Sequence, residues 1–302
     1  MLSLKPIPEN KADRETLKIY QSIKQTLGLN TVPLVFQYMA AFPPYFSYLL
    51  QQSIRNLSDS HFQKQVKEIK KFAETAMDQI YFPGKTMNLF LEDLKDSAEE
   101  KELINFVTSA SETTSSLYLL SLAIRESVKG AYLGIKQIGE RIPEKDKDIF
   151  TNLSEGLFEN VQTENKEAKD QDARLKRSSF GIISRPKTGL IRSLLSEFFK
   201  IMDLEIRELV KREEYLVRRV ELERFALSLL PFIPHPLESS FATIIRQTQD
   251  YPNFPELVYL VSELFPTQAP FRLLANAVMK KALSLTKNNS SANNLTQALS
   301  TT

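Results

Sequence analysis

Val32–Pro33–Leu34–Val35–Phe36–Gln37–Tyr38–Met39–Ala40–Ala41–Phe42–Pro43–Pro44–Tyr45–Phe46–Ser47–Tyr48–Leu49–Leu50 is a proline-punctuated apolar stretch. It leads into a long amphipathic segment that closes at Tyr81–Phe82–Pro83. A related order returns later in the chain. Phe180–Gly181–Ile182–Ile183–Ser184–Arg185–Pro186 is followed by Leu194–Leu195 and by a second long amphipathic segment closing at Leu230–Pro231. Leu119–Leu120 in the first half likewise matches Leu273–Leu274 in the second. The offset grows slowly from Leu49/Leu194 through Pro83/Pro231 to Leu119/Leu273. That is the mark of one module duplicated, with small insertions in the second copy. A pocket is then expected where the two halves meet.

Outward from that stretch, the periodicity is helical throughout. Asn10 and Asp13 supply a helix start, Leu17, Tyr20, Ile23 and Leu27 recur on one face, and Gly28 suits the position just past the end. A short helix lies between Pro33 and Pro43–Pro44, and another covers 45–55 and ends in the polar stretch 56–60. Ser60 and Gln63 fit a capping box. Phe62, Val66, Ile69, Ala73, Ala76, Met77 and Ile80 form one apolar stripe, with Lys64, Lys67, Lys70 and Lys71 outside it. Residues 87–94 read as helical. Ser115 or Ser116 is placed to cap 117–128, which is apolar on most sides and expected to be buried. Residues 190–230 are long for one uncapped helix, so a break is expected near Asp203. Helices are expected over 239–249, 255–264 and 270–285, two of them with proline at the start. No segment alternates with period two, and the class expected is all-α.

Composition narrows the function. With 302 residues, 42% hydrophobic and 25% charged, the chain has material for a large core. A net charge of +2 provides no field for nucleic acid. Cysteine is absent, which removes disulfides, thiol catalysis and thiolate metal sites, and a cytoplasmic location is compatible with that. Residues 1–10 carry Lys5 and Glu9 and no apolar core of a secretory signal. The longest apolar run, 117–124, falls far short of the ~20 residues that cross a bilayer, so no integral membrane segment is expected. His61 and His235 have no metal-ligand spacing, and the glycines form no phosphate loop; neither a metal nor a cofactor is expected. The mixed charges at Lys211–Arg212 and Arg218–Arg219 read as a solvated helix face.

Two clusters carry both a structural and a functional reading. Phe36, Tyr38 and Met39 at helical spacing suit either core packing or an apolar pocket wall. Glu112, Thr113, Thr114 and Ser115 suit either a helix cap or a polar pocket floor.

Several quoted motifs resemble the group I 2-haloacid dehalogenase family. They are Ile7–Pro8–Glu9–Asn10–Lys11–Ala12–Asp13, the run 17–29, Val32–Pro33–Leu34–Val35–Phe36, Pro43–Pro44–Tyr45–Phe46 and 117–130. In the second half they are 180–186, 252–265 and 271–283. The resemblance implies two all-helical repeats packed as an intramolecular pseudo-dimer, with the site between them and no cofactor. In that family an aspartate activates water, which attacks the halogen-bearing α-carbon directly and inverts it. The family's aspartate follows a serine early in the second repeat. The matching run here, Ser178–Ser179–Phe180–Gly181–Ile182–Ile183–Ser184–Arg185–Pro186, holds no carboxylate, and the nearest acids are Asp172 and Glu197. The family's asparagine before the buried helix falls in Ser111–Glu112–Thr113–Thr114–Ser115–Ser116. Phe36 keeps an early aromatic, while Met39 replaces the next.

The resulting expectation is a first repeat over 8–136, a charged linker over 137–178, a second repeat over 179–287 and a disordered tail over 288–302. Phe36, Met39, Glu112, Thr114, Ser115, Ser184 and Arg185 are the pocket candidates. Arg185 is the candidate anchor for an acidic ligand, since a guanidinium grips a carboxylate through two hydrogen bonds; a surface arginine before a proline is the structural alternative. Two functions follow. One is a dehalogenase-like hydrolase of carbon–halide bonds in small 2-haloacids, with Glu112, Asp203 or Glu205 as a displaced base. The other is a non-catalytic helical protein that binds a small acid or amphipathic ligand between the repeats. A small carboxylic acid is the partner in both, and a homodimer is left open.

Overall fold

A computed structural model describes residues 4–95, 97–131, 133–134 and 189–299. The expected linker, the run 179–188 with Ser184 and Arg185, and residues 300–302 lie outside them. The described chain is all-α, with no named strand and one isolated bridge, Leu133 to Leu237.

Helix α1 (Arg14–Leu27) starts where Asp13 Oδ1 accepts from the Thr16 N–H at 2.8 Å, and ends at Gly28, whose φ of 64° is the left-handed conformation glycine adopts without strain. Helix α2 (Leu34–Met39) is followed by α3 (Pro43–Ser58) and α4 (Ser60–Ile80). The cap of α4 is Asp59, one residue before the expected Ser60. The Asp59 carboxylate accepts from the His61 N–H at 2.7 Å, and Gln63 turns back to the Leu57 carbonyl rather than closing a capping box.

Helix α5 (Lys85–Leu94) leads to α6 (Ala98–Val128), which Ser97 caps through the Glu100 N–H at 3.0 Å. Neither Ser115 nor Ser116 starts a helix. Each lies inside α6 and donates to the carbonyl four residues back, Ser111 O at 2.8 Å and Glu112 O at 3.1 Å. A hydroxyl satisfied within its own helix is a legitimate interior residue, although its sequence signal matches that of a cap.

In the second half, α7 (Gly189–Leu209) and α8 (Glu213–Leu229) are separated at 210–212. The expected break near Asp203 therefore lies several residues later. It falls where Arg212 is extended and Glu213 and Glu214 provide an acidic first turn. Ser240 caps α9 (Phe241–Thr248). Helix α10 (Phe254–Tyr259), a π-helical turn (Leu260–Leu264) and α11 (Phe265–Leu299) then form one continuous helical run. Two separate helices were expected here, with Pro270 opening the second; Pro270 instead lies inside α11. The irregular turn just before it relaxes the hydrogen-bond ladder that prolines 266 and 270 cannot join. The backbone stays helical to Leu299, through the residues expected to be a tail, because elongating a formed helix costs far less than starting one.

The core is the contact of α6 with α11, flanked by α4. Tyr118, Leu119, Leu122 and Ala123 of α6 and Leu273, Leu274, Val278 and Ala282 of α11 are fully buried. Alanines 275 and 277 of α11 are buried as well. Phe72 of α4 stacks on Phe225 of α8 at 4.9 Å.

The connector 230–240 is laid against the first half by paired hydrogen bonds. The buried Asn56 donates to the His235 carbonyl at 3.1 Å and accepts from the His235 N–H at 3.2 Å. Gln52 makes the same two-way contact with the Glu238 backbone. Tyr45 and Ser239 hydroxyls lie 2.7 Å apart, and the Ser239 N–H donates to Ser127 Oγ at 2.6 Å. The approach is close enough that a Cβ on Gly134 would lie 2.6 Å from Pro236 Cα.

Candidate functional site

A cleft opens beside the α6–α11 contact, where the first turn of α2 covers it. Pro33, Leu34 and Val35 form one wall, Thr114, Leu117 and Ser121 of α6 a second, and Phe265, Gln268, Ala269 and Arg272 of α11 the third. Its volume, as room for water centres, is about 50 Å³. An inner chamber of about 20 Å³ continues from it and is lined by the buried Phe36, Met39, Leu120, Ile124 and Val261. Val35, Leu117, Ser121 and Phe265 line both spaces and form the waist between them.

Helical spacing brings these groups together. Thr114, Leu117 and Ser121 lie three or four residues apart, as do Phe265, Gln268 or Ala269, and Arg272, so each set shares one helix face. The π-helical turn delivers Val261 to the inner chamber just before α11 delivers Phe265 to the waist. Tyr38 packs against Phe265 with ring centres 6.3 Å apart.

The chemistry is concentrated at Arg272. Its guanidinium is partly buried, and burial lowers its pKa, yet arginine stays cationic in proteins. It makes one weak hydrogen bond, Nη2 to Gln268 Oε1 at 3.4 Å, and no carboxylate pairs with it among the described residues. Gln268 thereby has its amide nitrogen left to donate. Thr114 is already engaged: its hydroxyl donates to the Ala110 carbonyl at 2.7 Å and accepts from Asn276 Nδ2 at 2.9 Å. Ser121 donates to the Tyr118 carbonyl at 2.9 Å, which leaves its oxygen lone pairs open. The outer cleft thus offers cationic and amide donors beside apolar walls, and the inner chamber is almost wholly apolar.

The residues singled out from sequence divide. Phe36 and Met39 line the inner chamber and Thr114 the outer cleft. Ser115 is fully buried and lines neither. The Glu112 carboxylate is exposed and pairs with Lys70 at 3.0 Å, away from the cleft. Ser184 and Arg185 fall outside the described residues. The carboxylates expected as displaced bases are committed elsewhere. Asp203 pairs with Arg207 at 2.7 Å, and Glu205 accepts from Tyr81 OH and from the Gly84 N–H. No carboxylate lines either space among the described residues. No cluster of three metal-ligating side chains occurs among those residues either, and none of their helices is long and apolar enough to cross a membrane.

Sequence reading missed Arg272, Gln268 and Ser121. A signal existed: Arg272 is the single charge in the run Ala269–Pro270–Phe271–Arg272–Leu273–Leu274–Ala275–Asn276–Ala277, and Ser121 interrupts the apolar run of α6. An isolated polar group in an apolar stripe has to find a partner or face a cavity.

No protein-family model matches this chain, and no curated relative matches it. Solved structures do match in fold. A D-2-haloacid dehalogenase mutant superposes with a TM-score of 0.67 at 15% identity, covering 93% of this chain and 97% of that one. A complex of a D-2-haloacid dehalogenase mutant with D-2-CPA gives 0.68 at 15% identity over 94% of this chain and 97% of that one. The complex of D-2-haloacid dehalogenase with L-LA gives 0.68 at 15% identity over 94% and 98%. Across nearly its whole length the chain therefore has the fold of the D-2-haloacid dehalogenase structures.

Proposed function

We propose that this chain is a two-repeat, dehalogenase-fold protein that binds a small carboxylic acid in the cleft between α2, α6 and α11. Arg272 carries this reading: a partly buried guanidinium on the wall of a mainly apolar cleft, with no carboxylate paired to it among the described residues, is a receptor for an anionic group. The size agrees. At one water-sized group per roughly 10–15 Å³, the outer cleft takes about three to five such groups, the scale of a carboxylate and its α-carbon.

Hydrolysis of a carbon–halogen bond is the second reading, favoured by the fold likeness over 94% of the chain. Direct attack by water needs a general base within hydrogen-bond reach of that water. The described cleft lining supplies none, and the run Ser178–Ser179–Phe180–Gly181–Ile182–Ile183–Ser184–Arg185–Pro186 contains no acid. Binding without hydrolysis is thus the better supported function.

Calorimetric titration with each enantiomer of 2-chloropropionate, followed by halide assay of the same mixtures across pH 6 to 10, separates the two. Saturable binding without halide above a denatured control is expected. Halide release from either enantiomer would establish hydrolysis and replace the binding reading. Absence of both binding and release would remove the cleft as an acid site.

A further inference from the structure

Resting on the reading of the cleft as an acid site, we propose that Ser121 makes the site selective for a short hydroxy acid over the corresponding halo acid. The groups lining the cleft differ in the hydrogen-bonding valences they leave open. Arg272 and the Gln268 amide nitrogen can only donate, which suits the carboxylate. Ser121 is the polar side chain at the waist, and its O–H is already given to the Tyr118 carbonyl at 2.9 Å. What remains open on Ser121 is an acceptor. A ligand hydroxyl donates to it; a carbon-bound chlorine has no hydrogen to give, and its negative surface meets a lone pair. Thr114 keeps one acceptor lone pair, but it lines only the outer cleft, whereas Ser121 lines both spaces.

Beyond the waist, the chamber walls are apolar, and about 20 Å³ holds roughly one or two water-sized groups. That accommodates a methyl or ethyl tail beside Ile124 and Val261, which are among its lining residues. The ligand class is therefore a hydroxy acid of about three to five carbons, held with its carboxylate at Arg272, its hydroxyl at Ser121 and its tail in the chamber.

The test is calorimetric titration of the intact protein with butanoate, 2-hydroxybutanoate, 3-hydroxybutanoate and 2-chlorobutanoate, repeated on Ser121→Ala. Alanine is the strongest helix former, so α6 keeps its fold in that variant. Wild-type protein is expected to bind one hydroxy acid about tenfold more tightly than butanoate or 2-chlorobutanoate, the scale of one added hydrogen bond. Ser121→Ala should lose that margin, binding the hydroxy acid no more tightly than butanoate. Equal affinity for all four acids, or a margin that survives in Ser121→Ala, overturns the selectivity while leaving the acid site intact. Failure of all four to bind wild-type protein overturns the acid site itself. A second arm uses 2-hydroxyhexanoate, expected to bind at least tenfold more weakly than 2-hydroxybutanoate and to recover in Ile124→Ala. Equal wild-type binding of the two lengths would exclude the chamber as the tail site.

Discussion

Two polar regions where the second half of the chain faces the first contrast with each other. Along the connector 230–240, polar groups answer one another in pairs: Asn56 with both backbone groups of His235, Gln52 with both of Glu238, and Tyr45 with Ser239. At the cleft, Arg272 makes one weak hydrogen bond among the described residues, to Gln268 of its own helix at 3.4 Å. The first region gains stability from these reciprocal pairs, since a buried donor or acceptor left alone costs the full price of desolvation. The second leaves strong donors open beside a cavity, which serves a ligand rather than the fold. Both lie between helices distant in sequence, so burial alone does not separate structure from function. A charged donor left open beside a cavity does.

The contrast is most severely tested at Asn56. Asn56→Leu leaves the His235 N–H and carbonyl unpaired and should lower unfolding stability by about 3 kcal/mol, measured by urea denaturation. A loss under 1 kcal/mol would mean the connector is held by its apolar contacts. Tyr45→Phe removes one buried hydroxyl from the pair with Ser239, and about 1 kcal/mol should be lost. A neutral result would show that Ser239 satisfies itself elsewhere. The buried Tyr118 hydroxyl has no hydrogen-bond partner among the described residues, so Tyr118→Phe should be neutral or stabilising by up to about 1 kcal/mol; clear destabilisation would reveal a further partner. Smallest is the effect at α1, outside both contacts. The Thr16 N–H holds the Asp13 carboxyl below its usual range. With the folded value depressed, the cap's contribution is complete above the ordinary aspartate range and is lost as pH falls through the lowered value. Asp13→Asn should flatten that part of the acid unfolding curve, and an unchanged curve would mean that the carboxylate does not cap α1.

What was legible in the sequence was local. The Asp13 and Gly28 boundaries of α1, the apolar stripe from Phe62 to Ile80 and the buried character of 117–128 all follow from the 3.6-residue period and from the chemistry of helix ends. Interior serines defeated the reading of α6, because a hydroxyl bonded within its own helix and one capping the next look alike in sequence. Prolines 266 and 270 defeated the reading of α11, because a π-helical turn absorbs what proline ordinarily ends. The site was harder still. Phe36, Met39 and Thr114 border the cavities, whereas Glu112 turns out to Lys70. Arg272 acquires its meaning only when α11 lies beside α2 and α6, a juxtaposition no local period encodes.

On this reading Arg272 serves a ligand and not the fold. Calorimetric titration of 2-hydroxybutanoate into wild-type protein and Arg272→Met, with thermal melts of both, addresses it directly. The account predicts an affinity roughly 100-fold weaker in the variant, from loss of a charge-assisted contact, with a melting temperature equal to or above wild type because a desolvated charge is gone. Undiminished binding in Arg272→Met, or a collapse in its melting temperature, would contradict it.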